Sequence, residues 1–192
     1  MILTRSFYEG DTVEIAQKLI GQILVRETPE GTTRGIIVET EAYMGEIDDA
    51  AHSYKGKRDR VRIQYGEKGL SYIYMIYGMH YCMNITSGAE GKPEAILIRA
   101  LEPLEGIPLM MERRGTDKPK NLCSGPGKLC KAMAIDKSLY GADLCTTDSG
   151  IWLESGTPLE TEASKRINID YAPLCKDKLW RFTARGSKFL SK

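Results

Sequence analysis

The chain has 192 residues, a length that suits one domain with a sizeable core. Hydrophobic residues make up 42% and charged residues 28%, and the net charge of +1 neither demands nor excludes a nucleic-acid partner. No apolar run approaches the ~20 residues that span a bilayer, so we expect no membrane association. The five cysteines contain no CxxC pair, which argues against disulfides, zinc and other metal sites and favours a reducing, intracellular compartment.

Hydrophobic spacing and turn residues predict the elements in chain order. The first half reads as a helix at 12–20, strands at 22–26 and 34–43, a helical turn at 48–52, a basic loop at 55–69, and strands at 70–75 and 81–86. The second half reads as an apolar strand at 95–100, helices at 108–114 and 127–134, and strands at 151–154 and 179–185. No linker or repeat divides the chain. We therefore predict one α+β domain over residues 1–192, with a curved antiparallel sheet, flanking helices and a protruding β-hairpin.

The segment 71–84 holds four of the ten tyrosines between positions 72 and 81. On a strand, Tyr72 and Tyr74 share one face, while Ile73, Met75 and Cys82 can face a core. Tyr77 directly precedes Gly78, where the chain can bend. Aromatic faces stack on unpaired bases at about 1–3 kcal/mol each, but buried strands are also rich in tyrosine for packing.

Glu39, Glu41 and Tyr43 alternate along a strand and therefore project to one face. A carboxylate beside an aromatic ring at the end of an apolar strand can act as a general base. The alternative is that the two glutamates are surface charges paired with lysines.

Arg99 follows the apolar run 96–98, where a guanidinium is costly to bury without a partner. It could hold Glu41 or a phosphate by bidentate bonds, or pair with Glu102 or Glu105.

The sequence Cys-Ser-Gly-Pro-Gly-Lys-Leu at 123–129 resembles a phosphate loop but fails the Walker pattern, because Leu122 and Leu129 stand where Gly and Ser or Thr are needed. It could hold one backbone phosphate at a helix N-terminus or be a plain cap. The chain has no GxGxxG, HExxH, GxSxG or zinc-deaminase signature, so nothing marks a nucleotide cofactor.

Together these segments resemble the alkylpurine (3-methyladenine or alkyladenine) DNA glycosylase family. The matching stretches, in the family's order, are IVETEAYMG with DDAAHS, YIYMIYGMHYCMNIT, ILIRALEPLEG, LCSGPGKLCKAMAI and RFTARGS. The resemblance implies a monofunctional base-excision-repair enzyme that flips alkylated or deaminated purines out of double-stranded DNA and hydrolyses the N-glycosidic bond. It implies no cofactor and no metal, and an abasic site as the product.

The resemblance also implies catalytic roles. Glu41 would activate the water, Arg99 would hold Glu41 and that water, and the main-chain carbonyl of Ala184 would hold the water as well. Tyr43 would stack on one face of the flipped base and His52 and Tyr74 on the other, while Asn84 would crowd the exocyclic amine of guanine.

Further residues are implied to contact DNA. Tyr77 would be the wedge that replaces the flipped nucleotide in the stack. The remaining contacts would be Met79, Lys57, Arg58, Arg60, Lys128 and Arg185. Asp59 departs from the family by standing among the cations, where it either weakens a phosphate contact or orients an arginine.

Two other functions remain open on the residues alone. A non-catalytic nucleic-acid binding module would use the tyrosine strand for stacking, but it assigns no role to Glu41, Arg99 or Asn84. A carbohydrate-active hydrolase would use Glu39 and Glu41 as its acid pair, since strand neighbours two apart lie ~7 Å from each other. We expect a monomer in the cytoplasm, associated with the nucleoid if the source is a prokaryote.

Overall fold

An antiparallel sheet of eight strands forms the body of the protein, and the structure, a computed structural model, describes residues 1–191. The strands are β1 (Ile23–Thr28), β2 (Gly31–Tyr43), β3 (Ser71–Ile76), β4 (His80–Ser87), β5 (Glu94–Glu105), β6 (Ile151–Glu154), β7 (Thr161–Ser164) and β8 (Arg181–Ala184). Their order is β3-β4-β5-β2-β1-β6, with β8 paired to β2 and β7 to β8. The long strand β2 thus pairs with β5 on one side, and with β1 and then β8 on the other.

Three register shifts interrupt the pairing of β2 with β5, and two of them lie next to each other near the middle of β2. Ile37 lies opposite Leu101 and Glu39 opposite Ala100, so Val38 has no partner on β5. One step further on, Arg99 has no partner on β2. Such bulges bend a strand and redirect its side chains. They stand where the three charged residues Glu39, Glu41 and Arg99 meet at the centre of the sheet.

The helices pack around this sheet. They are α1 (Thr12–Lys18), α2 (Ile107–Arg114) and α3 (Pro126–Ala132), with short 3-10 helices at Arg5–Tyr8, Gly45–Ile47, Asp59–Tyr65, Pro119–Asn121 and Lys137–Leu139. The Asp11 side chain caps α1 by accepting a hydrogen bond from the Glu14 amide at 2.9 Å. Buried side chains of α1 and α3 join the apolar strand residues in one core. None of the helices within residues 1–191 is both long and apolar enough to cross a membrane.

The hairpin of β3 and β4 ends in an exposed tip. Tyr77 and Gly78 have φ values of +52° and +68°, and the Met79 amide donates to the Ile76 carbonyl at 3.2 Å. Positive φ at both central residues is the pattern of a type I′ hairpin turn. Gly78 adopts it freely, whereas a bulky residue such as Tyr77 does so at a cost.

The predicted fold class is confirmed, with differences in detail. The segment predicted as a basic loop contains the 3-10 helix Asp59–Tyr65, which is anchored by the buried side chains of Val61 and Gln64. Strand β7 was missed, because Thr161–Ser164 is short and lacks apolar alternation. Met75 is 46% exposed rather than in the core, since it lies near the hairpin tip.

Candidate active site

A narrow slot with aromatic walls opens beside the end of β2. Four residues predicted to contact a base, Tyr43, His52, Tyr74 and Asn84, all line it. The other lining residues, which sequence reasoning did not place there, are Ala50, Ala51, Gln64, Tyr72, Ala95 and Tyr171. Its volume is about 50 Å³, room for only a few waters.

His52, Tyr72 and Tyr74 form one wall. The His52 ring contacts Tyr74 edge-on with centroids 4.5 Å apart, and its Nδ1 lies 2.9 Å from the Tyr72 hydroxyl. Partial loss of solvent around the half-exposed ring, aided by the positive charge of Arg60, lowers the pKa of His52 to about 4. The imidazole is therefore neutral at physiological pH, and it can accept or donate a hydrogen bond at the base edge.

Asn84 forms the floor beside this wall. Its side chain is buried, and Nδ2 donates to the Tyr72 carbonyl at 3.1 Å. Because Asn84 lies opposite Tyr72 on the paired strands β3 and β4, the sheet register fixes its place. A planar amide held this way can select among bases by shape.

Tyr43 forms the opposite wall and connects the slot to Glu41. Its hydroxyl donates to Glu41 Oε2 at 2.8 Å, and burial together with that carboxylate raises the pKa of Tyr43 well above its ordinary value. Glu41 is fully buried; its Oε1 accepts from the Ile167 amide at 2.7 Å, and Arg99 Nη1 lies 3.3 Å from its Oε2. Glu41, the predicted general base, thus contacts Arg99, its predicted companion. The side chain of Tyr43 connects Glu41 to the slot.

The glutamate pair is not a surface pair with lysines. Glu39 and Glu41 are both fully buried, and their ionic partners are arginines. The partners of Arg99 are these two carboxylates, whereas Glu105 pairs with Arg34. The pKa of Glu39 is lowered, which does not suit a general acid of a carbohydrate hydrolase.

A buried ion pair, which the sequence did not reveal, supports Tyr43 from behind. Arg166 and Asp48 are joined by two hydrogen bonds of 2.6 and 2.8 Å, and both side chains are fully buried. The Arg166 guanidinium lies 4.7 Å from the centroid of the Tyr43 ring and 5.0 Å from that of Trp180. Nothing in a lone arginine at 166 signals this contact, because Asp48 and Tyr43 are more than a hundred residues away.

Asp48, Asp49 and Cys175 place three potential metal-ligand atoms within 4.8 Å of one another. Asp48 binds Arg166, however, and Asp49 accepts hydrogen bonds from the amides of Leu174 and Cys175 at 2.9 and 3.1 Å. These carboxylates hold two loops together, and their oxygens already have partners.

The hairpin tip and the start of α3 share one face. Tyr77 is 86% and Met79 69% exposed. Next to them, a Cβ added to Gly127 would lie only 3.1 Å from that of His80, so the glycine allows the hairpin to lie close against α3. The exposed Lys128, predicted to contact DNA, follows in the first turn of α3, 3.4 Å from the Ser124 hydroxyl.

The predicted basic contacts other than Lys128 lie in two places. Lys57, Arg58 and Arg60 are exposed at the start of the 3-10 helix Asp59–Tyr65, where Lys57 lies 5.6 Å from the Tyr65 ring centroid and Arg60 5.1 Å from that of the slot residue Tyr74. Arg185 lies apart from them on the β7–β8 hairpin, where it pairs with Glu160 and Glu162.

Ala184 is buried at the end of β8. Its carbonyl accepts from the Ser187 amide at 3.1 Å. The register sets Thr183 opposite Glu39, so Ala184 lies beyond Glu39 and not opposite Glu41. Its predicted part in holding a water stays a prediction.

Comparison with known proteins identifies the family to which the chain belongs. The model of the family described as methylpurine-DNA glycosylase (MPG) matches residues 6–188. A protein of Desulfitobacterium hafniense (strain Y51) is 46% identical over 198 residues, covering 98% of each chain, and one of Clostridium novyi (strain NT) is 47% identical, covering 99% of this chain and 98% of its own. A third, from Methanocella arvoryzae, is 43% identical over all of this chain and 96% of its own. All three carry the name 3-methyladenine DNA glycosylase as a provisional assignment. The resemblance is confirmed, and the chain belongs to the methylpurine-DNA glycosylase family of DNA-repair hydrolases, which act on N-glycosyl bonds.

Proposed function

We propose that this protein flips damaged purines out of double-stranded DNA and hydrolyses their N-glycosidic bond with a water that Glu41 activates. One observation carries the proposal: a buried carboxylate is joined, through the Tyr43 hydroxyl, to the wall of a slot lined by flat side chains. A general base next to a stacking surface is what removal of a flipped base requires.

The slot favours a flat, electron-poor ring. Tyr43 and Tyr74 both line it, and alkylation at N3 or N7 makes a purine cationic, so stacking on a tyrosine ring gains from cation–π attraction. Asn84, which also lines the slot, excludes bases whose exocyclic groups collide with it.

The chemistry requires one water and one base. The water oxygen bonds to the anomeric carbon while the N-glycosidic bond breaks, and the electron pair of that bond leaves with the purine. Glu41 takes the proton from the water. A cationic alkylpurine leaves as a neutral base, whereas a neutral lesion such as hypoxanthine must also gain a proton and leaves more slowly. This route forms no covalent bond between enzyme and sugar, so we propose a monofunctional enzyme whose product is an abasic site.

Exposed aromatic and basic residues on the surface, here called the rim, support the proposed flipping step. Flipping costs a few kcal/mol, least at a damaged or mispaired base, and an inserted side chain offsets the lost stacking. The exposed Tyr77 at the hairpin tip suits that role, with Met79 beside it. Lys57, Arg58, Arg60 and Lys128 are exposed where phosphates of the flanking strand can be neutralised. We propose that a monomer acts, as is usual for a small enzyme that tracks a duplex.

Base release measured under single-turnover conditions tests the proposal. Duplexes with one N7-methylguanine, ethenoadenine or hypoxanthine are compared for the wild type and Glu41→Gln. We expect release by the wild type, and a loss of at least ~100-fold in the variant with duplex binding retained, because a positioned general base contributes ~10²–10⁴-fold. Binding without release by the wild type on all three lesions would instead support a binding module.

A further inference from the structure

Glu39 occupies an unusually complete binding site for a carboxylate. It is fully buried and accepts four hydrogen bonds: from Arg99 Nε at 3.0 Å, from Arg181 Nε at 2.8 Å, and from the Ser191 amide and hydroxyl at 2.7 and 2.8 Å. Burial alone would raise the pKa of this carboxyl, but the Ser191 amide and the Arg181 guanidinium outweigh it, and the pKa is lowered. Glu39 is therefore a fixed negative charge inside the protein.

Arg99 is held from three directions. Its Nε donates to Glu39, its Nη1 reaches Glu41 at 3.3 Å, and its Nη2 reaches the Ser191 hydroxyl at 3.3 Å. A guanidinium is a rigid planar fork, so the bond from Nε fixes the direction in which Nη1 points. The shorter contact is to Glu39 and the longer one to Glu41. Glu39 thus fixes the direction in which Arg99 approaches Glu41.

The cluster holds charges of both signs. Among residues 1–191, the carboxylates of Glu39 and Glu41 face the guanidinium groups of Arg99 and Arg181. Glu39 and Glu41 are two residues apart on one strand, ~7 Å from each other. At that distance, in partly dry surroundings, the charge of one changes the electrostatic potential at the other appreciably.

Other groups also bear on Glu41. The hydroxyl of Tyr43 donates to it from β2, and the Ile167 amide donates from the segment after β7. The more distant groups that interact with it electrostatically are Arg166, Tyr74, Cys82 and Tyr171. Among them Arg166 is the charged group, and Asp48 balances it.

We propose that Glu39 is a positioning residue for the reaction: it orients Arg99 toward Glu41 and cancels the excess positive charge that Glu41 would otherwise experience. This rests on the proposed function of Glu41 as the base. The C-terminal segment contributes through Ser191, whose amide and hydroxyl keep the Glu39 carboxylate in place.

The test is the pH dependence of single-turnover base release by Glu39→Gln, with the lesion that the wild type releases fastest. Glutamine keeps the shape but removes the charge, so the positive charges of Arg99 and Arg181 near the Glu41 carboxylate are no longer offset. We expect the acidic side of the pH–rate profile, its acid limb, to move by about one pH unit to lower pH, because a unit charge ~7 Å away has an effect of that order. The plateau rate should fall about tenfold, since Arg99 is no longer oriented toward Glu41.

Two variants separate positioning from structural support. Glu39→Asp retains the charge, so its acid limb should stay at the wild-type pH while its plateau rate falls. Glu154→Gln removes another carboxylate paired with an arginine, Arg34, on the distant strand β6, and should leave the profile unchanged.

The outcomes are distinct. An acid limb in Glu39→Gln that coincides with the wild type, together with a lower thermal midpoint, would show that Glu39 only supports the fold and would overturn the proposal. If Glu39→Gln does not fold, a shift of the acid limb in Glu39→Asp as large as one unit would overturn it equally. Absence of base release by the wild type would instead count against the proposed function.

Discussion

The charged residues behind the slot and those on the surface differ in how they are held. Behind it, Glu39, Glu41 and Arg99 are buried and share their partners, and Asp48 and Arg166 form a second closed pair. On the surface, Lys57, Arg58, Arg60 and Lys128 are exposed. Buried charges depend on each other, because removing one leaves its partner without compensation. Exposed cations act nearly independently, so evolution can exchange them one at a time.

The buried pair Asp48–Arg166 gives the largest expected effect. Asp48→Asn leaves the Arg166 guanidinium buried without its counter-charge, and we expect the free energy of unfolding to fall by about 3–5 kcal/mol. Urea unfolding followed by circular dichroism measures this. As the matched control, Asp177→Asn breaks the exposed pair with Lys165 and should leave the urea midpoint unchanged. Equal shifts in the two variants would remove the distinction between buried and exposed charges.

The hairpin tip gives an intermediate effect, with opposite signs for stability and activity. Tyr77→Gly relieves a positive φ that a bulky residue adopts at a cost, and we expect a gain of about 0.5–1 kcal/mol in the free energy of unfolding. Tyr77→Ala keeps that cost and should show no gain. Both variants lack the ring, so both should release a damaged base more slowly from a paired duplex than the wild type does, and the deficit should shrink when the lesion is mispaired.

A loss of stability in Tyr77→Gly would mean that the Tyr77 ring packs against the protein in the absence of DNA and is not free to insert into the duplex. Equal deficits on paired and mispaired lesions would argue against a role for Tyr77 in flipping. Thermal unfolding and single-turnover release on the two duplexes therefore examine the fold and the function of the tip separately.

Part of the slot could be predicted from sequence, where its residues lie on strands whose alternation is visible. Tyr72 and Tyr74 share a face as the period of two requires, and both line the slot. The resemblance added Tyr43, His52 and Asn84, and the structure brings them to the same place.

The electrostatic support of the slot could not be predicted. The bulges at Val38 and Arg99 depend on how two strands align, and no local pattern encodes that alignment. Glu39 looked like a surface charge because its partners Arg181 and Ser191 are far along the chain. The alternation of residues along a strand predicts which face of the sheet a side chain lies on. Whether that face is buried depends on other segments of the chain that pack against it and are distant in sequence.

The smallest expected effect concerns two cations that sequence reasoning treated alike. Lys128 is exposed beside the hairpin tip, whereas Arg185 is held by Glu160 and Glu162 on the β7–β8 hairpin. A phosphate can bind Lys128 directly but would have to displace two carboxylates from Arg185. In Lys128→Ala we therefore expect the slope of log affinity against log salt, measured by fluorescence anisotropy with a lesion-bearing duplex, to decrease by about one. Arg185→Ala should change it less, because a cation that is already neutralised releases few counterions when DNA binds. The reverse order would mean that DNA breaks the acidic contacts of Arg185 and reaches the β7–β8 hairpin, so that the rim extends further around the molecule than its free cations indicate.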